Sequence, residues 1–133
     1  MKPREAHEKL KTSESAIYLD VRSTPEFAQG HPAGAWNIPI LHASAFGMRP
    51  NADFVEVASR ALPKDAFIVV GCKSGQRSLM AAQALAQAGF TNVVNLEGGF
   101  GGTAACEGWL ACGLPSSTEA APGRTWDELR AGA

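Results

Sequence analysis

At the centre of the chain stands Phe67-Ile-Val-Val-Gly-Cys-Lys-Ser-Gly-Gln-Arg-Ser78, followed at once by Leu79-Met-Ala-Ala-Gln-Ala-Leu-Ala-Gln-Ala88. The first four residues are apolar and favour β-structure, so they predict a buried strand. The Ala- and Leu-rich run at the end predicts a helix over residues 78–88, and Gly89 is a helix-ending signal. A short polar loop that begins at Cys72 joins the two. The segment therefore predicts a strand, a loop and a helix in direct succession.

Residues 72–78, called the 72–78 loop below, have the composition of an anion-binding site. The first N–H groups of a helix lack partners within it, and a curled loop turns them inward at the positive end of the helix dipole. A cysteine at the mouth of such a cradle has its thiolate stabilised, and the thiolate is the reactive form. Lys73 and Arg77 add two cations beside Cys72. The pattern predicts a nucleophilic cysteine.

The segments on either side alternate between predicted helices and strands. Helical patterns cover residues 3–10, 24–29 and 51–62, with Thr24 and Asn51 as N-caps, and strand patterns cover 16–21 and 93–96. Gly98-Gly99 predicts a turn after the last strand. Residues 41–50 are predicted to be irregular. The alternation predicts an α/β fold, in which a parallel sheet carries helices on both faces.

The composition is that of one soluble globular domain, with 133 residues, 45% of them apolar and 19% charged. A formal net charge of −1 and the lack of a basic run argue against nucleic-acid binding. No stretch has transmembrane length and no secretory signal follows Met1, so no membrane partner is predicted. Three cysteines, one of them in a reactive loop, favour a reducing compartment, either the cytoplasm or an organelle after removal of a transit segment. A monomer is the expected state of a domain of this size.

Three stretches in order resemble the rhodanese family of single-domain sulfurtransferases. They are Tyr18-Leu-Asp-Val-Arg22 continuing to Gly30-His-Pro-Ala-Gly-Ala-Trp-Asn-Ile-Pro39, then the 72–78 loop, then Asn95-Leu-Glu-Gly-Gly99 ending near Trp109 and Gly113-Leu-Pro115. The resemblance implies a three-layer fold with a small, mostly parallel sheet of five strands. It implies four if the first strand is truncated, since only Met1 and Lys2 precede the first helix. A sulfurtransferase domain is expected over residues 1–115, followed by a tail over 116–133 in which a linker leads to a short helix at Thr125-Trp-Asp-Glu-Leu-Arg130.

The resemblance also implies an activity and a set of site residues. Cys72 is expected to carry sulfur as a persulfide, taken from an anionic donor such as thiosulfate and passed to cyanide or to a small or protein thiol. The residues expected to bind the anion are Lys73, Ser74, Gly75, Gln76, Arg77 and Ser78, and Ser78 is also a candidate helix cap. Mercaptopyruvate and protein persulfides stay open as donors. No cofactor is predicted, and the cysteines and histidines have no zinc-binding spacing.

Asp20 and Arg22 follow a strand and are candidates to support the site, because functional groups gather at the carboxyl ends of parallel strands. An internal ion pair between them is favoured over a catalytic role. For His31, a hydrogen-bonded structural role is favoured over that of a general base. Cys106 and Cys112 are favoured as small apolar fillers over partners for each other or for Cys72.

Three other function classes stay open. A phosphatase or arsenate reductase of the related fold has one more residue between its cysteine and arginine, whereas four residues separate Cys72 from Arg77 here. A sulfur-carrier or interaction module would lack activity with thiosulfate. A thiol-redox centre would pair Cys72 with Cys106 or Cys112.

Overall fold

The computed structural model describes residues 1–132. In chain order, the elements are α1 (Pro3–Thr12), β1 (Ile17–Asp20), α2 (Thr24–Gln29), β2 (His31–Pro32), β3 (Trp36–Asn37), β4 (Leu41–Ser44), β5 (Gly47–Pro50), α3 (Phe54–Ala61), β6 (Ile68–Gly71), α4 (Gln76–Gln87), β7 (Val93–Asn95), β8 (Ser116–Ser117) and α5 (Trp126–Arg130). The central sheet has the strand order β3-β1-β6-β7, and every pairing within it is parallel. The predicted α/β architecture is confirmed, with four strands rather than five.

The two faces of the central sheet carry different helices because its strands alternate their side chains. Ile68 and Val70 of β6 belong to a cluster that also contains side chains from α3, α4 and α5. Val69 points to the other face and joins a cluster that contains Ala6 of α1 and Phe27 of α2. Strands β1 and β6 are buried at all positions, as expected for strands covered on both sides.

Of the two strand counts that the sequence left open, the structure agrees with four. Met1 lies beside β7, where its amino group donates to the Asn95 carbonyl at 3.1 Å and its own carbonyl accepts from Glu97 N–H at 2.9 Å. Residues 1 and 2 form no strand. Two backbone hydrogen bonds therefore cover this edge of β7 in place of a fifth strand.

Residues 41–50 were expected to be irregular, and that prediction is wrong. Strands β4 and β5 form an antiparallel hairpin in which Ser44 pairs with Gly47. Most side chains of the hairpin are exposed, including that of Phe46 at its tip, which is 89% exposed. Backbone pairing rather than burial holds the hairpin together, and this kind of pairing leaves no pattern of apolar residues in the sequence.

The C-terminal segment is packed against the rest of the chain. Within the stretch expected to be a linker, β8 pairs with β2 in an antiparallel arrangement. Trp126 and Leu129 of α5 are buried in the same cluster as α3 and α4. The side chain of Arg60 donates to the carbonyl of Leu129 at 3.0 Å. These contacts attach the C-terminal segment to the rest of the chain through both β8 and α5.

Candidate active site

Cys72 lies at the floor of the 72–78 loop, whereas the sequence suggested a position at its mouth. Strand β6 ends at Gly71, and Cys72, the next residue, is buried like the residues of the strand. Its side chain is 1% exposed and packs in the main hydrophobic cluster. The loop then curls back over the sulfur.

Hydrogen-bond donors converge on the sulfur inside this loop. Gly75 N–H donates to Cys72 Sγ at 3.0 Å. Burial by itself raises the pKa of Cys72, but the hydroxyl of Ser78 and the N–H groups of Ser78, Gly75 and Ser74 outweigh burial and hold the pKa below its ordinary value. Of the inward-turned amides expected from the sequence, that of Gly75 makes a hydrogen bond to the sulfur, and it favours the thiolate.

Gly75 allows the loop to make this turn. Its φ of +111° lies in the left-handed region, where residues with a Cβ are strained. It is also the N-cap of α4, which begins at Gln76, two residues earlier than predicted. The N-terminal end of α4 therefore lies within the loop itself, and the helix dipole favours negative charge there.

Ser78 does not cap the helix, because α4 has already begun two residues before it. Its side chain is fully buried. Ser78 Oγ lies 3.4 Å from Cys72 Sγ and donates to the Gly75 carbonyl at 3.1 Å. Ser78 is thus a hydrogen-bond partner of the sulfur rather than a helix cap, and its Oγ accepts from the Cys72 thiol.

The two cations of the loop differ in their surroundings. Lys73 is exposed, together with Ser74 and Gln76, and within residues 1–132 it makes no ion pair. Arg77 is held by Glu26 in a bidentate pair, with Nη1 to Oε1 at 2.7 Å and Nη2 to Oε2 at 2.9 Å. Of the two cations predicted beside Cys72, Arg77 is thus paired with a carboxylate. Lys73 is the unpaired positive charge at the rim of the loop.

Glu26 lies in the first turn of α2, and its carboxylate binds groups from two elements. Its Oε1 accepts from the backbone N–H of Ser23 at 3.2 Å and from the Ser23 hydroxyl at 2.8 Å. Ser23 rather than Thr24 is thus the N-cap, and the two side chains form a capping box. The same carboxylate binds Arg77, so it connects the start of α2 to the first turn of α4. The Ser23-x-x-Glu26 spacing was visible in the sequence, whereas the partner 51 residues away was not.

Replacement of Glu26 by glutamine is expected to remove a large part of the acid sensitivity of folding. The hydrogen bonds from Arg77 lower the pKa of Glu26 from 4.5 to about 2, against the opposing effect of burial. Because the folded pKa is the lower one, the pair stabilises the protein above about pH 4.5, and this stabilisation is lost as the pH falls towards about 2. With allowance for solvent screening at these partly exposed side chains, the contribution is about 2 kcal/mol.

The measurement is the free energy of unfolding from urea titrations across the acidic range. Glu26→Gln should be less stable than the wild type near neutral pH, and the two curves should converge as the pH falls. Glu56→Gln is the matched control, since Glu56 is exposed on α3 and makes no ion pair within residues 1–132. A constant gap between Glu26→Gln and the wild type at every pH contradicts the role of the ion pair.

Asp20 and Arg22 form an internal ion pair, the interpretation that the sequence favoured. Arg22 Nη2 lies 2.8 Å from Asp20 Oδ2 and also donates to the Gly30 carbonyl at 2.6 Å. Both side chains are buried. The guanidinium stacks over the ring of Phe100 at 4.6 Å, and Phe100 N–H donates to the Cys72 carbonyl at 2.7 Å. The pair therefore supports the loop from behind, through Phe100.

The turn that contains Gly98 and Gly99 lies against the loop, which sequence reasoning did not predict. Besides the Phe100 bond, Gly101 N–H donates to the Lys73 carbonyl at 2.9 Å. A Cβ atom placed on Gly99 would lie 2.5 Å from the carbonyl oxygen of Cys72 and 2.7 Å from the carbonyl group of Lys73. The double glycine was seen only as a turn, yet Gly99 is what allows the two backbones to approach so closely.

Asn95, at the end of β7, is a second residue that the sequence did not point to. Its Oδ1 accepts from the Ser78 hydroxyl at 2.5 Å, and its Nδ2 donates to the Gly75 carbonyl at 3.3 Å. It thus contacts two residues of the loop from the neighbouring strand. The sequence placed it in a predicted strand and in a stretch of the family resemblance, but neither indicated a role at the loop.

The remaining candidate residues take structural positions. His31 is buried, stacks on Phe27 and contacts carbonyl oxygens with both ring nitrogens, at 2.7 Å for Phe27 and 3.1 Å for Glu119. Cys106 and Cys112 are free and half-buried, each with its sulfur 3.6 Å from an oxygen of Glu107. Within residues 1–132, no cluster of three or more His, Cys, Asp or Glu residues has metal-binding geometry. In the same part of the chain, no helix combines the length and apolar character needed to cross a membrane.

Comparison with known proteins identifies relatives over most of the chain. A family model described as a rhodanese-like domain matches residues 2–106. Thiosulfate sulfurtransferase 16, chloroplastic, of Arabidopsis thaliana is 43% identical over 99 residues, which are 74% of this chain and 78% of that protein. Thiosulfate sulfurtransferase GlpE of Pseudomonas fluorescens (strain SBW25) is 33% identical over 94 residues, which are 71% of this chain and 75% of that protein.

Solved structures give the same result. The crystal structure of Rv0390 from M. tuberculosis matches with a TM-score of 0.74 and 27% sequence identity, over 90% of this chain and 96% of that one. The residues matched by the family model include the central sheet, the 72–78 loop and the Gly98-Gly99 turn. The match therefore spans every element that positions Cys72.

Proposed function

The chain belongs to the rhodanese-like domain family, and from that membership we propose that it is a sulfurtransferase that carries sulfane sulfur as a persulfide on Cys72. The observation that carries the proposal is the set of donors around the sulfur. Gly75 N–H points at Cys72 Sγ from 3.0 Å, and hydrogen bonds within the loop lower the pKa of Cys72 in spite of its burial. Donors placed in this way stabilise a thiolate and, equally, the negative terminal sulfur of a persulfide.

In the first half-reaction, the Cys72 thiolate attacks the outer sulfur of thiosulfate. A new S–S bond forms to Cys72 Sγ while the S–S bond of thiosulfate breaks, and sulfite leaves with the bonding electron pair. In the second half-reaction, an acceptor thiolate or cyanide attacks the terminal sulfur of the persulfide. The Cys72 thiolate then leaves and is regenerated. Two half-reactions through a covalent intermediate predict ping-pong kinetics.

The exposed rim of the loop accounts for the choice of an anionic donor. The outer sulfur of thiosulfate is a single atom, so it enters the loop end-on while the sulfonate oxygens stay at the rim. Lys73 is the unpaired cation there, and Ser74 and Gln76 are exposed beside it. Arg77 contributes differently, because its pair with Glu26 fixes the start of α4 in place.

The same geometry disfavours phosphoryl or arsenate chemistry. A phosphoryl group places three oxygens at the floor of its cradle and needs a wider ring than a single sulfur atom does. In this chain four residues separate Cys72 from Arg77, and both terminal nitrogens of Arg77 are bound by Glu26. The arginine is therefore not free to surround an oxyanion at the sulfur.

The test is intact-mass and peptide-mass spectrometry after treatment with thiosulfate. The protein carries Cys106→Ala and Cys112→Ala, so that Cys72 is its one remaining cysteine. We expect a mass gain of one sulfur atom on Cys72, one equivalent of sulfite released, and loss of the added mass when cyanide is supplied. A protein that gains no sulfur from thiosulfate, from mercaptopyruvate or from a protein persulfide is a binding module rather than a sulfurtransferase. A protein that takes up sulfur only when Cys106 and Cys112 are present is a thiol-redox protein instead.

A further inference from the structure

We propose that Asn95 is a positioning residue that competes with the sulfur of Cys72 for the single hydroxyl proton of Ser78. In this way Asn95 sets how readily the cysteine ionises. The inference deepens the proposed function, since it assigns control of the same sulfur. It rests on the hydrogen bonds that meet at one buried oxygen atom.

Three groups surround the hydroxyl of Ser78. Cys72 Sγ lies 3.4 Å from Ser78 Oγ, the Gly75 carbonyl oxygen 3.1 Å and Asn95 Oδ1 2.5 Å. Ser78 is fully buried. A serine hydroxyl has one proton to donate and accepts through its lone pairs. Only one of the three neighbours can therefore receive that proton at a time.

The state of the sulfur decides which neighbour needs the proton. When Cys72 is a thiol, its own S–H donates to Ser78 Oγ, and the serine proton is free for Asn95 Oδ1. When Cys72 is a thiolate, the sulfur has no proton and can only accept, so the hydroxyl of Ser78 must turn towards it. That turn breaks the short bond to Asn95. Ionisation of Cys72 therefore costs the hydrogen bond between Ser78 and Asn95.

Asn95 cannot easily adapt by rotating its amide group. Its Nδ2 donates to the Gly75 carbonyl at 3.3 Å, and a flipped amide would place Oδ1 against that carbonyl oxygen. The backbone carbonyl oxygen of Asn95 accepts a hydrogen bond from the amino group of Met1 at 3.1 Å, which holds the backbone of this residue in place. The acceptor that competes with the sulfur is thus held in one orientation.

The ionisable groups around this network stay the same when Asn95 is changed. They come from β1 and the residues that follow it, from α2 and from the 72–78 loop. They are Tyr18, Asp20, Arg22, Glu26, Lys73 and Arg77, with Met1 and Glu97 beside Asn95. Asn95 is uncharged, so Asn95→Leu changes no charge. The effect of this variant on the sulfur then reports the competition for the Ser78 proton.

The experiment follows the rate of alkylation of Cys72 by iodoacetamide as a function of pH. All variants carry Cys106→Ala and Cys112→Ala, so that Cys72 alone reacts. Asn95→Leu removes the competing acceptor, and we expect the midpoint of the pH–rate curve to fall by about one pH unit, the effect of one hydrogen bond to a charged group. Asn95→Asp places a stronger acceptor and a negative charge at the same position, so its midpoint should rise.

The control is the same Asn95→Leu change in a Ser78→Ala background. Without the hydroxyl there is nothing to compete for, and the downward shift should vanish. A midpoint that stays constant or rises in Asn95→Leu overturns the proposal, and so does a downward shift that persists in Ser78→Ala. A merely structural role for Asn95 would loosen the loop and move both Asn95 variants in the same direction. Alkylation needs no sulfur donor, so a protein that fails to take sulfur from thiosulfate still gives a clear answer.

Discussion

Replacement of Cys72 by serine is expected to abolish sulfur transfer from thiosulfate to cyanide, with a loss of at least about 1000-fold in kcat/KM. Serine fits the space of cysteine, and the donors of Gly75 and Ser78 would still surround the new oxygen. However, a serine hydroxyl is not ionised near neutral pH, and within residues 1–132 no histidine or carboxylate makes a hydrogen bond to residue 72 that could remove the proton. The nucleophile of the first half-reaction is then missing. The measurement is steady-state formation of thiocyanate.

The interpretation of that result depends on the fold staying intact. Cys72→Ser should give a circular dichroism spectrum and an unfolding midpoint close to those of the wild type, because the substitution changes one buried atom. Cys106→Ser is the matched control, since Cys106 is half-buried and lies outside the 72–78 loop. It should keep wild-type turnover. Turnover retained in Cys72→Ser, or lost in Cys106→Ser, would exclude the persulfide mechanism on Cys72.

The two central strands of the sheet could be predicted because each is marked locally in the sequence. Strands β1 and β6 are runs of apolar residues buried at all positions, and the structure places their ends within one residue of the predicted ones. The hairpin of β4 and β5 carries no such mark. Most of its residues are exposed and its stability comes from backbone pairing, so the pattern of apolar residues could not reveal it.

In the active site, too, features that depend on neighbouring residues could be predicted, whereas contacts between distant residues could not. The glycine at 75, the start of α4 and the amides that face Cys72 all lie within the 72–78 loop, and so they could be inferred from one continuous stretch. The partners that complete the site come from other elements. Glu26 is 51 residues from Arg77, and Asn95 is 17 residues from Ser78. Their positions depend on the order of the strands and on which side chain faces the loop, and neither is encoded in the spacing of residues.

These distant partners change the chemical interpretation of the loop. The sequence suggested two cations beside the thiolate, but the structure neutralises Arg77 with Glu26 and leaves Lys73 as the free charge. Stabilisation of the negative sulfur therefore depends on short-range hydrogen bonds rather than on nearby positive charge. For this reason the path of the backbone around Cys72 should matter more to activity than the net charge of the loop.

Replacement of Gly99 by alanine tests this conclusion directly, and we expect it to lower kcat/KM by about 100-fold. The added Cβ would lie 2.5 Å from the carbonyl oxygen of Cys72 and 2.7 Å from the carbonyl group of Lys73. Both contacts are with backbone atoms, which cannot move aside as a flexible side chain can. The loop must therefore shift, and the amides that face the sulfur shift with it. Steady-state kinetics and the pH dependence of Cys72 alkylation measure the two consequences.

Gly99→Ala has two effects, a close contact between the new Cβ and the 72–78 loop and a strained backbone conformation. Gly113→Ala has only the second, so it separates the two. Gly113 has a φ of +69° and Gly99 a φ of +60°, so both alanine variants carry the same left-handed backbone strain, about 1 kcal/mol. Gly113 is exposed and a Cβ placed there meets no atom within 4 Å. Gly113→Ala should therefore lose stability slightly and keep its activity, whereas Gly99→Ala should lose about 3 kcal/mol of stability and most of its activity. Equal activity in the two variants would show that close contact between the Gly99 turn and the 72–78 loop does not hold the amides in place, because only Gly99→Ala disturbs that contact.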